Sequence, residues 1–532
     1  MFFSFRITLM LVKLNLKRNF HRSSKLFVND QYVPGFKNTK TDGFFYWNDV
    51  LFSSTFNEIV RVDRCRTNSI QKSLFREKNF IKCFDKGFFT LMPFVTRAIH
   101  RLMELIQIEM FKINAHQIMM PSLVGKHLWT SSGRWDYSGD EIFRLKDRHD
   151  NEFCLAPTHE EVITRILASC HQISHRQLPV YLYQISPKYR DELRTKQGLL
   201  RAREFIMKDL YTFDIDEEHA NQTYELVCST YDAIFRSLEL PVTKSERQFY
   251  SVGPYINLNH FKAVGSVGSI GGKHSHEFLL ESDLGEDEFY TCFDCFESFN
   301  IELLDGSSSF YCLNCKSQKL STRRKAIELG HSFLLNDRYS RKMNAFYSEE
   351  SSKEKKFLQM GCYGLGVSRI VATSVEYLSA KLPQNSSRSK RDQSSAQHSS
   401  ETDLFFLRWP KLLVPFKICL IIPKQGSKED IGKGTEFSMH LAKVLHERFN
   451  EDILIDNRSN MTIGKRMLTA QAIGIPFIII AGRNITDSQP KFELFAHLDN
   501  ENCSPNSFPL STLYTQAELL DYLKIHLKPY SL

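Results

Sequence analysis

The 532-residue sequence predicts an α/β (α+β) protein in which an antiparallel-sheet core is followed by a separate C-terminal α/β domain. Residues 181–213 predict two antiparallel strands joined by a basic loop, and residues 262–345 alternate short strands with turns. The C-terminal part instead alternates apolar strands with helices, at 418–422, 435–449, 453–455, 464–473 and 477–481. This change of pattern predicts two domains.

The N-terminus has a composition of its own. Its first 29 residues contain no Asp or Glu, and the basic residues among them are Arg6, Lys13, Lys17, Arg18, Arg22 and Lys25. A basic, acid-free and amphipathic start predicts a mitochondrial transit peptide over residues 1–29, and therefore a location in the mitochondrial matrix. The apolar run 7–12 raises the alternative of a secretory signal, but basic residues lie on both sides of it and no small-residue cleavage pattern follows. Residues 30–85 are assigned to an N-terminal extension.

Charge and cysteine content narrow the class of protein. The net charge of +8 is compatible with a nucleic-acid partner but says little over such a length. No apolar run of about 18 residues is present, so we expect no membrane span. The twelve cysteines are scattered except for two Cys-x-x-Cys pairs, which is not the pattern of a secreted disulfide framework.

The core begins with a clear helical pattern over 96–111, where apolar residues recur at three- and four-residue steps. A short apolar strand at 117–120 follows and ends at Pro121. A second helix is predicted over 159–170, because Glu160 and Glu161 occupy its first turn, where carboxylates suit the helix dipole.

Four side chains next to the basic loop have the chemistry that ATP requires: Arg190, Glu192, Arg201 and Phe205. Reaction at the α-phosphate needs a fixed cation, an acceptor for the adenine amino group and a flat apolar surface for the ring. Arg190, Glu192 and Phe205 can supply these, and Arg201 adds a second guanidinium.

The second predicted strand places alternating residues on one face, namely Phe205, Met207, Asp209, Tyr211 and Phe213. Aromatic side chains around one carboxylate predict the floor of a pocket. A half-buried strand that contains a satisfied aspartate is the alternative.

A glycine-containing turn lies between a predicted strand and a helix, at Gly364-Leu-Gly366-Val-Ser-Arg369. A Gly-x-Gly by itself is usually only a tight turn. With Arg369 three residues after the second glycine, the pattern predicts that the glycines admit a nucleotide and that the arginine meets its phosphates.

Together these motifs resemble motifs 2 and 3 of the class II aminoacyl-tRNA synthetases, and the helix that leads into the strand at Pro121 resembles their motif 1, which builds a dimer interface. The strings LAPTHEEVIT (155–164), YRDELRTKQGLLRAREFIMKDLYTFD (189–214), GSIGGKHSHEF (268–278) and MGCYGLGVSRI (360–370) resemble the bacterial and mitochondrial type of prolyl-tRNA synthetase. The resemblance covers about 86–380 and 408–500. It implies a class II catalytic domain over 86–380, a disordered linker or insertion over 381–405 and an anticodon-binding domain over 406–532.

The resemblance implies that the chain joins proline to tRNA(Pro) through a prolyl-adenylate, with ATP and Mg²⁺, for mitochondrial translation, and that it forms a homodimer. Arg190 and Arg369 would be catalytic. The side chains that would line the proline pocket are Thr158, Glu160, Met207, Asp209, Tyr211, His331 and Cys362. A synthetase for threonine or serine is a nearby alternative, and a non-catalytic nucleic-acid-binding paralogue is a more distant one. Retention of the ATP-binding arginines argues against the paralogue.

Some positions depart from the family pattern. The usual glycines are replaced by Ala156 and Ala202, and the usual Arg-Pro-Arg-Phe-Gly loop is Arg194-Thr-Lys-Gln-Gly198. That loop reads the tRNA acceptor stem in relatives, which implies Arg194 and Lys196 as contacts. In the C-terminal domain, Arg458, Lys465 and Arg466 are the candidates for anticodon and phosphate contacts, with a surface ion-pair cluster as the alternative.

Both Cys-x-x-Cys pairs lie in a short segment, 289–324, at the place where bacterial relatives often carry an editing domain. The segment is too short for a hydrolytic domain, so we expect no in-chain clearance of alanyl-tRNA. Cys292, Cys295, Cys312 and Cys315 have the spacing of a tetrahedral structural zinc site. Reduced free cysteines and disulfides are the alternatives.

Overall fold

The computed structural model describes residues 44–47, 80–137, 141–170, 173–195, 198–240, 260–264, 270–303, 311–348, 355–380, 407–496 and 511–528. The predicted transit peptide, the predicted insertion at 381–405 and Lys196 lie outside these ranges. No helix in the described ranges is long and apolar enough to cross a membrane.

The elements of the N-terminal and core parts, in chain order, are β1 (Phe44–Tyr46), β2 (Ile81–Asp85), β3 (Phe88–Leu91), α1 (Pro93–Lys112), β4 (His116–Gln117), β5 (Leu123–Gly125), α2 (Lys126–Ser132), α3 (Arg134–Tyr137), β6 (Arg144–Lys146), β7 (Glu152–Leu155), α4 (Glu160–Ser169), β8 (Ile173–Ser174), β9 (Val180–Tyr189), β10 (Glu204–Asp214), α5 (Glu217–Ser237), β11 (His260–Val264), β12 (His274–Glu281), β13 (Asp287–Thr291), β14 (Ser298–Asn300), β15 (Arg324–Asn336), α6 (Arg338–Met343), β16 (Phe346–Ser348), β17 (Lys355–Phe357), β18 (Gln359–Gly366) and α7 (Val367–Ala380). Helix α1 begins with Pro93, whose fixed φ suits the first helical position.

The core is organised around one large sheet, with strand order β12-β11-β14-β13-β15-β18-β10-β9-β4. Its central pairs, β15 with β18, β18 with β10 and β10 with β9, are antiparallel, as predicted. On one face, α5 packs Tyr231 and Phe235 against Phe278 of β12. On the other, Ile163 of α4 joins a buried cluster with Tyr211 and Met360.

The C-terminal domain contains β19 (Ile418–Ile421), α8 (Lys428–Ile431), α9 (Gly434–Phe449), β20 (Ile453–Asp456), α10 (Ile463–Ala472), β21 (Phe477–Ile480), β22 (Lys491–Ala496), β23 (Thr512–Thr515) and α11 (Gln516–His526). Its sheet runs β20-β19-β21-β22-β23, and the first three of these strands are parallel. All three are fully buried, which is why they appear in the sequence as continuous apolar runs.

Two sets of contacts in the structure cross the predicted domain limits. Strand β2 forms a hairpin with β3, so a boundary between residues 85 and 86 divides a single structural unit. Part of the predicted N-terminal extension also packs on the C-terminal domain: Phe45 contacts Phe416 edge-on, and the Trp47 ring lies 4.0 Å from the guanidinium carbon of Arg458.

Helix α1 joins the core to the C-terminal domain through Arg97. Its Nε donates to the carbonyl of Pro415 at 3.0 Å, and its guanidinium pairs with Asp452. The same guanidinium lies over the rings of Phe45 and Phe416. A cation between two rings that also pairs with a carboxylate fixes this junction in several directions.

Candidate active site

A cavity of about 350 Å³ opens on the central strands of the core sheet. The predicted site residues that line it are Thr158, Arg190, Phe205, Met207, Asp209, His331, Cys362, Gly364, Gly366 and Arg369. These ten predicted nucleotide and proline residues share one cavity, whereas Glu160, Glu192, Arg201 and Tyr211 do not line it. An arrangement on separate faces would have contradicted the sequence interpretation.

The sheet register explains how distant segments meet. Asp209 of β10 lies opposite Gln184 of β9 on one side and Gly364 of β18 on the other. Gly364 in turn pairs with His331 of β15, and His331 with Glu277 of β12. Residues opposite one another in an antiparallel sheet point to the same face. One row across five strands therefore brings a carboxylate, a glycine and an imidazole to the cavity floor.

Two arginines supply positive charge to the cavity. The Arg190 guanidinium carbon lies 5.3 Å from the Phe205 ring centre, and the group makes no ion pair among the described residues. Arg369 donates from Nε to the carbonyl of Leu200 and from Nη1 to that of Glu328, both at 2.8 Å. Arg190 thus makes no direct ion pair among the described residues, although its charge helps to lower the pKa of Glu328, while Arg369 is fixed by two backbone acceptors and contacts Glu328.

The sequence interpretation missed Glu328, which lines the cavity between these groups. Its carboxylate lies 2.9 Å from His331 Nδ1 and 3.4 Å from Arg369 Nη1. Burial raises the pKa of Glu328, but the hydrogen bond and charge of His331 together with the charges of Arg369 and Arg190 lower it to about 2. Strand alternation alone would place Glu328 and His331, three residues apart, on opposite faces, and the sequence does not signal the register shift between β12 and β15 next to Leu329.

Glu192 and Arg201 lie outside the cavity lining. Arg201 donates from Nε and Nη2 to one oxygen of Glu192, at 2.9 and 2.7 Å, and also pairs with Glu286. Their predicted roles at the adenine and the phosphate tail stay predictions, because each group is here engaged with the other.

On the proposed proline side, Glu160 is fully buried behind the cavity wall. One of its oxygens accepts from the Thr158 hydroxyl at 2.6 Å and from the Cys362 thiol at 3.1 Å. The other accepts from Nη1 of Arg134 at 2.9 Å, a partner that the sequence interpretation missed. The carboxylate thus acts on the cavity through Thr158 and Cys362, both of which line it.

Asp209 is held by a second buried network. It accepts from the Tyr211 hydroxyl at 2.9 Å and from the Gln184 amide at 3.1 Å, and it lies 2.8 Å from Lys188 Nζ. Burial, followed by the charges of Asp209 and Glu160, raises the pKa of Tyr211 well above its usual value. Tyr211 is therefore the hydrogen-bond donor to Asp209 and remains protonated.

His331 stacks on Phe333, with ring centres 3.9 Å apart and an interplanar angle of 16°. Its Nδ1 contacts Glu328, whereas its Nε2 is buried and has no hydrogen-bond partner among the described residues. Since a buried polar atom costs free energy unless it is paired, Nε2 is suited to a polar group of a ligand in the cavity.

The four cysteines of the segment 289–324, called the insert below, lie close together. Their Sγ atoms all lie within 4.8 Å of one another, and the pairs Cys292–Cys315 and Cys295–Cys312 are 3.5 Å apart. These distances exceed the roughly 2.05 Å of a disulfide bond. They are close to the separation of about 3.8 Å that tetrahedral Zn–S bonds of about 2.3 Å produce. The geometry fits zinc and does not fit disulfides.

Two of the candidate RNA contacts in the C-terminal domain are buried, which corrects the prediction that they face RNA. Arg458 donates to both carboxylate oxygens of Asp456, at 2.9 and 2.6 Å, and Arg466 donates to the carbonyl of Asp456. Arg458 is 4% exposed and Arg466 is fully buried, so neither guanidinium is available to a base or phosphate here. Lys465 and Arg194 are exposed.

Family models match the chain in two regions. Residues 143–377 match the tRNA synthetase class II core domain (G, H, P, S and T), and residues 418–493 match the anticodon binding domain. A relative from Rattus norvegicus, "Probable proline--tRNA ligase, mitochondrial", is 40% identical over 418 residues, or 78% of each chain. The chain belongs to the prolyl-tRNA synthetase family of class II aminoacyl-tRNA synthetases.

Other members support the same placement. A relative of the same name from Schizosaccharomyces pombe is 38% identical over 77% of this chain and 85% of its own. "Proline--tRNA ligase" of Pelagibacter ubique is 29% identical over 84% of this chain and 94% of its own. The predicted family and fold class are confirmed.

A solved prolyl-tRNA synthetase from Cryptosporidium parvum, complexed with L-proline and AMP, superposes with a TM-score of 0.61 at 15% identity. The match covers 90% of this chain and 79% of that one. One from Giardia lamblia, in complex with prolyl-adenylate, gives 0.60 at 14% identity over 85% and 78% of the two chains. At such identities the likeness concerns the fold alone.

Gly364 offers a test of the cavity with little risk to folding. A Cβ built there meets nothing closer than Met207 Sδ at 3.6 Å, an ordinary contact, so Gly364→Ala should fold normally. The added methyl group would occupy ligand space, and we expect the KM for proline or ATP to rise about tenfold or more.

The matched control is Gly464→Ala, where an added Cβ has no atom within 4 Å. Steady-state kinetics and melting curves of both variants provide the measurement. A Gly364→Ala enzyme with unchanged constants would show that the row of residues across the sheet does not face the substrates.

Proposed function

We propose that the protein activates proline with ATP and transfers it to tRNA(Pro) in the mitochondrial matrix. The observation that carries this is that one cavity is lined by Arg190, Arg369 and Phe205 and also by Thr158 and Asp209. Relatives named as mitochondrial proline--tRNA ligases, together with the acid-free basic N-terminus, support the substrate and the matrix location.

In the first step, a proline carboxylate oxygen attacks the α-phosphorus of ATP. The new P–O bond forms as the bond to pyrophosphate breaks, giving prolyl-adenylate. Arg190 and Arg369 stabilise the charge that develops on the phosphates, and the Phe205 ring offers a surface for the base. The protein needs no nucleophile of its own, since fixed positions and charges supply the catalysis.

Magnesium is part of this proposal. The carboxylates of Glu277 and Glu328 line the cavity, and oxygen ligands of this kind suit Mg²⁺. Such an ion would neutralise phosphate charge when bound with ATP. The low pKa of Glu328 keeps that carboxylate ionised at neutral pH.

In the second step, the terminal ribose hydroxyl of tRNA attacks the prolyl carbonyl and AMP leaves. We assign tRNA contacts to the exposed Arg194 and Lys465, and to Lys196, which lies two residues after Arg194 in the sequence. Lys465 lies inside the region that matches the anticodon binding domain. Lysine and arginine side chains suit phosphate and guanine edges.

The pure protein should catalyse ATP–pyrophosphate exchange with proline and with no other amino acid of the standard twenty. Exchange with threonine or serine would identify a different synthetase. Exchange with none of the twenty, in a folded protein that still binds tRNA, would favour the non-catalytic paralogue. The presence of both Arg190 and Arg369 in the cavity argues against that outcome.

We also assign structural zinc to the four-cysteine cluster and a homodimer to the assembly. Large apolar side chains are exposed within the segment that resembles motif 1, including Phe111 at 64% and Met119 at 91%. Apolar surface of this kind is typical of an interface. A second copy of the chain is the proposed occupant, and sedimentation equilibrium measures it.

A further inference from the structure

We propose that Arg134 is a positioning residue that makes the proline site accept a secondary ammonium group, by fixing the ionised Glu160 carboxylate behind Thr158. The idea rests on the proposed proline site. It adds Arg134, to which the sequence interpretation gave no role. It also states which atom donates and which accepts in the hydrogen bonds of Thr158 and Tyr211.

The proton directions follow from the hydrogen bonds. The Thr158 hydroxyl has one proton and donates it to Glu160 Oε1 at 2.6 Å. The nearby Tyr211 hydroxyl donates a hydrogen bond to Asp209 and accepts one from the backbone N–H of His159. Thr158 Oγ1 therefore presents only lone pairs to the cavity that it lines. Lone pairs beside a buried negative charge suit the N–H groups of a bound imino acid.

This arrangement requires Glu160 to be ionised, and Arg134 supplies the positive charge. Nη1 of Arg134 lies 2.9 Å from Glu160 Oε2, opposite the oxygen that Thr158 and Cys362 contact. Burial raises the pKa of Glu160, but the charge of Arg134 and the hydrogen bonds of Thr158 and Cys362 outweigh it and lower the pKa. Without that cation, a fully buried carboxylate would take up a proton.

Arg134 is itself held firmly. Gly133, in the left-handed region at φ 79°, ends helix α2 and turns the chain into α3, where Arg134 is the first residue. The guanidinium carbon lies 4.7 Å from the Trp129 ring centre. Glu161 lies 3.2 Å from Nη1, and the Ser132 hydroxyl holds Glu161 in place at 2.6 Å. Both Arg134 and Trp129 line the cavity.

Several other titratable groups face this pair from the elements packed around it. They are Glu161 on α4, His159 before it, Asp209 and Tyr211 on β10, Lys188 on β9, Tyr339 on α6 and Cys362 on β18. Burial is the largest cause that raises the pKa of Glu161, and Glu160 raises it further. Arg134 thus lies between two neighbouring carboxylates, and the pKa of Glu160 is lowered whereas that of Glu161 is raised.

The test is Arg134→Met in the full-length enzyme, assayed by proline-dependent pyrophosphate exchange. We expect the KM for proline to rise tenfold or more while the KM for ATP changes less than twofold. In the variant, Glu160 should be protonated at low pH and lose its proton as pH rises. The proline KM of the variant should therefore fall as pH rises through the range in which Glu160 loses its proton, whereas the wild-type KM should show no such fall because Arg134 keeps Glu160 ionised.

A second variant separates charge from packing. Arg134→Met leaves both Glu160 and Glu161 without their cation. The double variant Arg134→Met/Glu161→Gln removes the carboxylate of Glu161, so proline binding should partly recover relative to Arg134→Met alone. Should Arg134→Met fail to fold, Arg134→Gln provides the same two readouts, because it also removes the positive charge. Equal changes in both KM values, or a flat pH profile in the variant, would overturn the proposal.

Glu160→Gln distinguishes this inference from the site assignment beneath it. If Glu160→Gln leaves the proline KM unchanged, the proline site itself is misplaced. If Glu160→Gln raises that KM but Arg134→Met does not, only the role of Arg134 fails.

Discussion

Replacing Arg190 with alanine is expected to lower the kcat of proline-dependent pyrophosphate exchange by about 100-fold or more, equivalent to about 3 kcal/mol of transition-state stabilisation. The guanidinium lies in the cavity over Phe205 and has no carboxylate partner among the described residues. Its charge is therefore available to the phosphates, and its removal leaves no buried carboxylate unpaired. The loss should appear in catalysis and scarcely in stability.

The matched control is Arg148→Ala, which removes an exposed arginine from a turn outside the cavity. Both variants should melt at the wild-type temperature, and only Arg190→Ala should lose exchange activity. Near-normal exchange in Arg190→Ala would contradict the assignment of this cavity as the site of ATP chemistry.

The parts of the site that the sequence predicted are those with a strict local pattern. Met207 and Asp209 alternate along one strand, and strand alternation alone assigns them to one face. Gly364 lies in β18 and Arg369 in α7, which follows that strand directly, and the spacing within this strand–helix unit can be recognised without knowledge of the rest of the fold. Such features depend on neighbours in sequence.

The parts that the sequence left out depend on packing between distant segments. Arg134 is a partner of Glu160 only because α3 packs beside α4, and Glu328 reaches Arg369 through the pairing of β15 with β18. No periodicity in the chain signals either contact. Arg458 failed as an RNA contact for the same reason, since Trp47 and Asp456 cover its side chain.

Removal of the proposed zinc ion should have the second large effect, a loss of stability. The two Cys-x-x-Cys turns have matching conformations: Phe296 and Lys316, each directly after the second cysteine of its pair, both adopt left-handed φ values of 59° and 63°. Among the described residues of the insert, Cys292, Phe299 and Cys312 form a small buried cluster. A segment with so little apolar core gains most of its order from a metal.

We therefore expect one zinc ion per native chain, and expect Cys295→Ser to lose the ion and to lower the melting temperature by several degrees. Metal analysis and calorimetry measure these, with Cys170→Ser, an exposed cysteine outside the cluster, as the control. Burial and sulfur contacts raise the pKa of Cys295 to about 12, so the metal-free thiol holds its proton at neutral pH. Zinc must displace protons, and acidification should release it.

The effect should extend to activity, because β15 begins at the insert and continues into the cavity. Arg324, at its start, donates to Thr291 beside Cys292, and Glu328 and His331 follow on the same strand. Disorder at the cysteines would thus loosen the strand that carries the partner of Arg369. Native protein with four free thiols, no zinc and full activity would show instead that sulfur packing alone holds the insert.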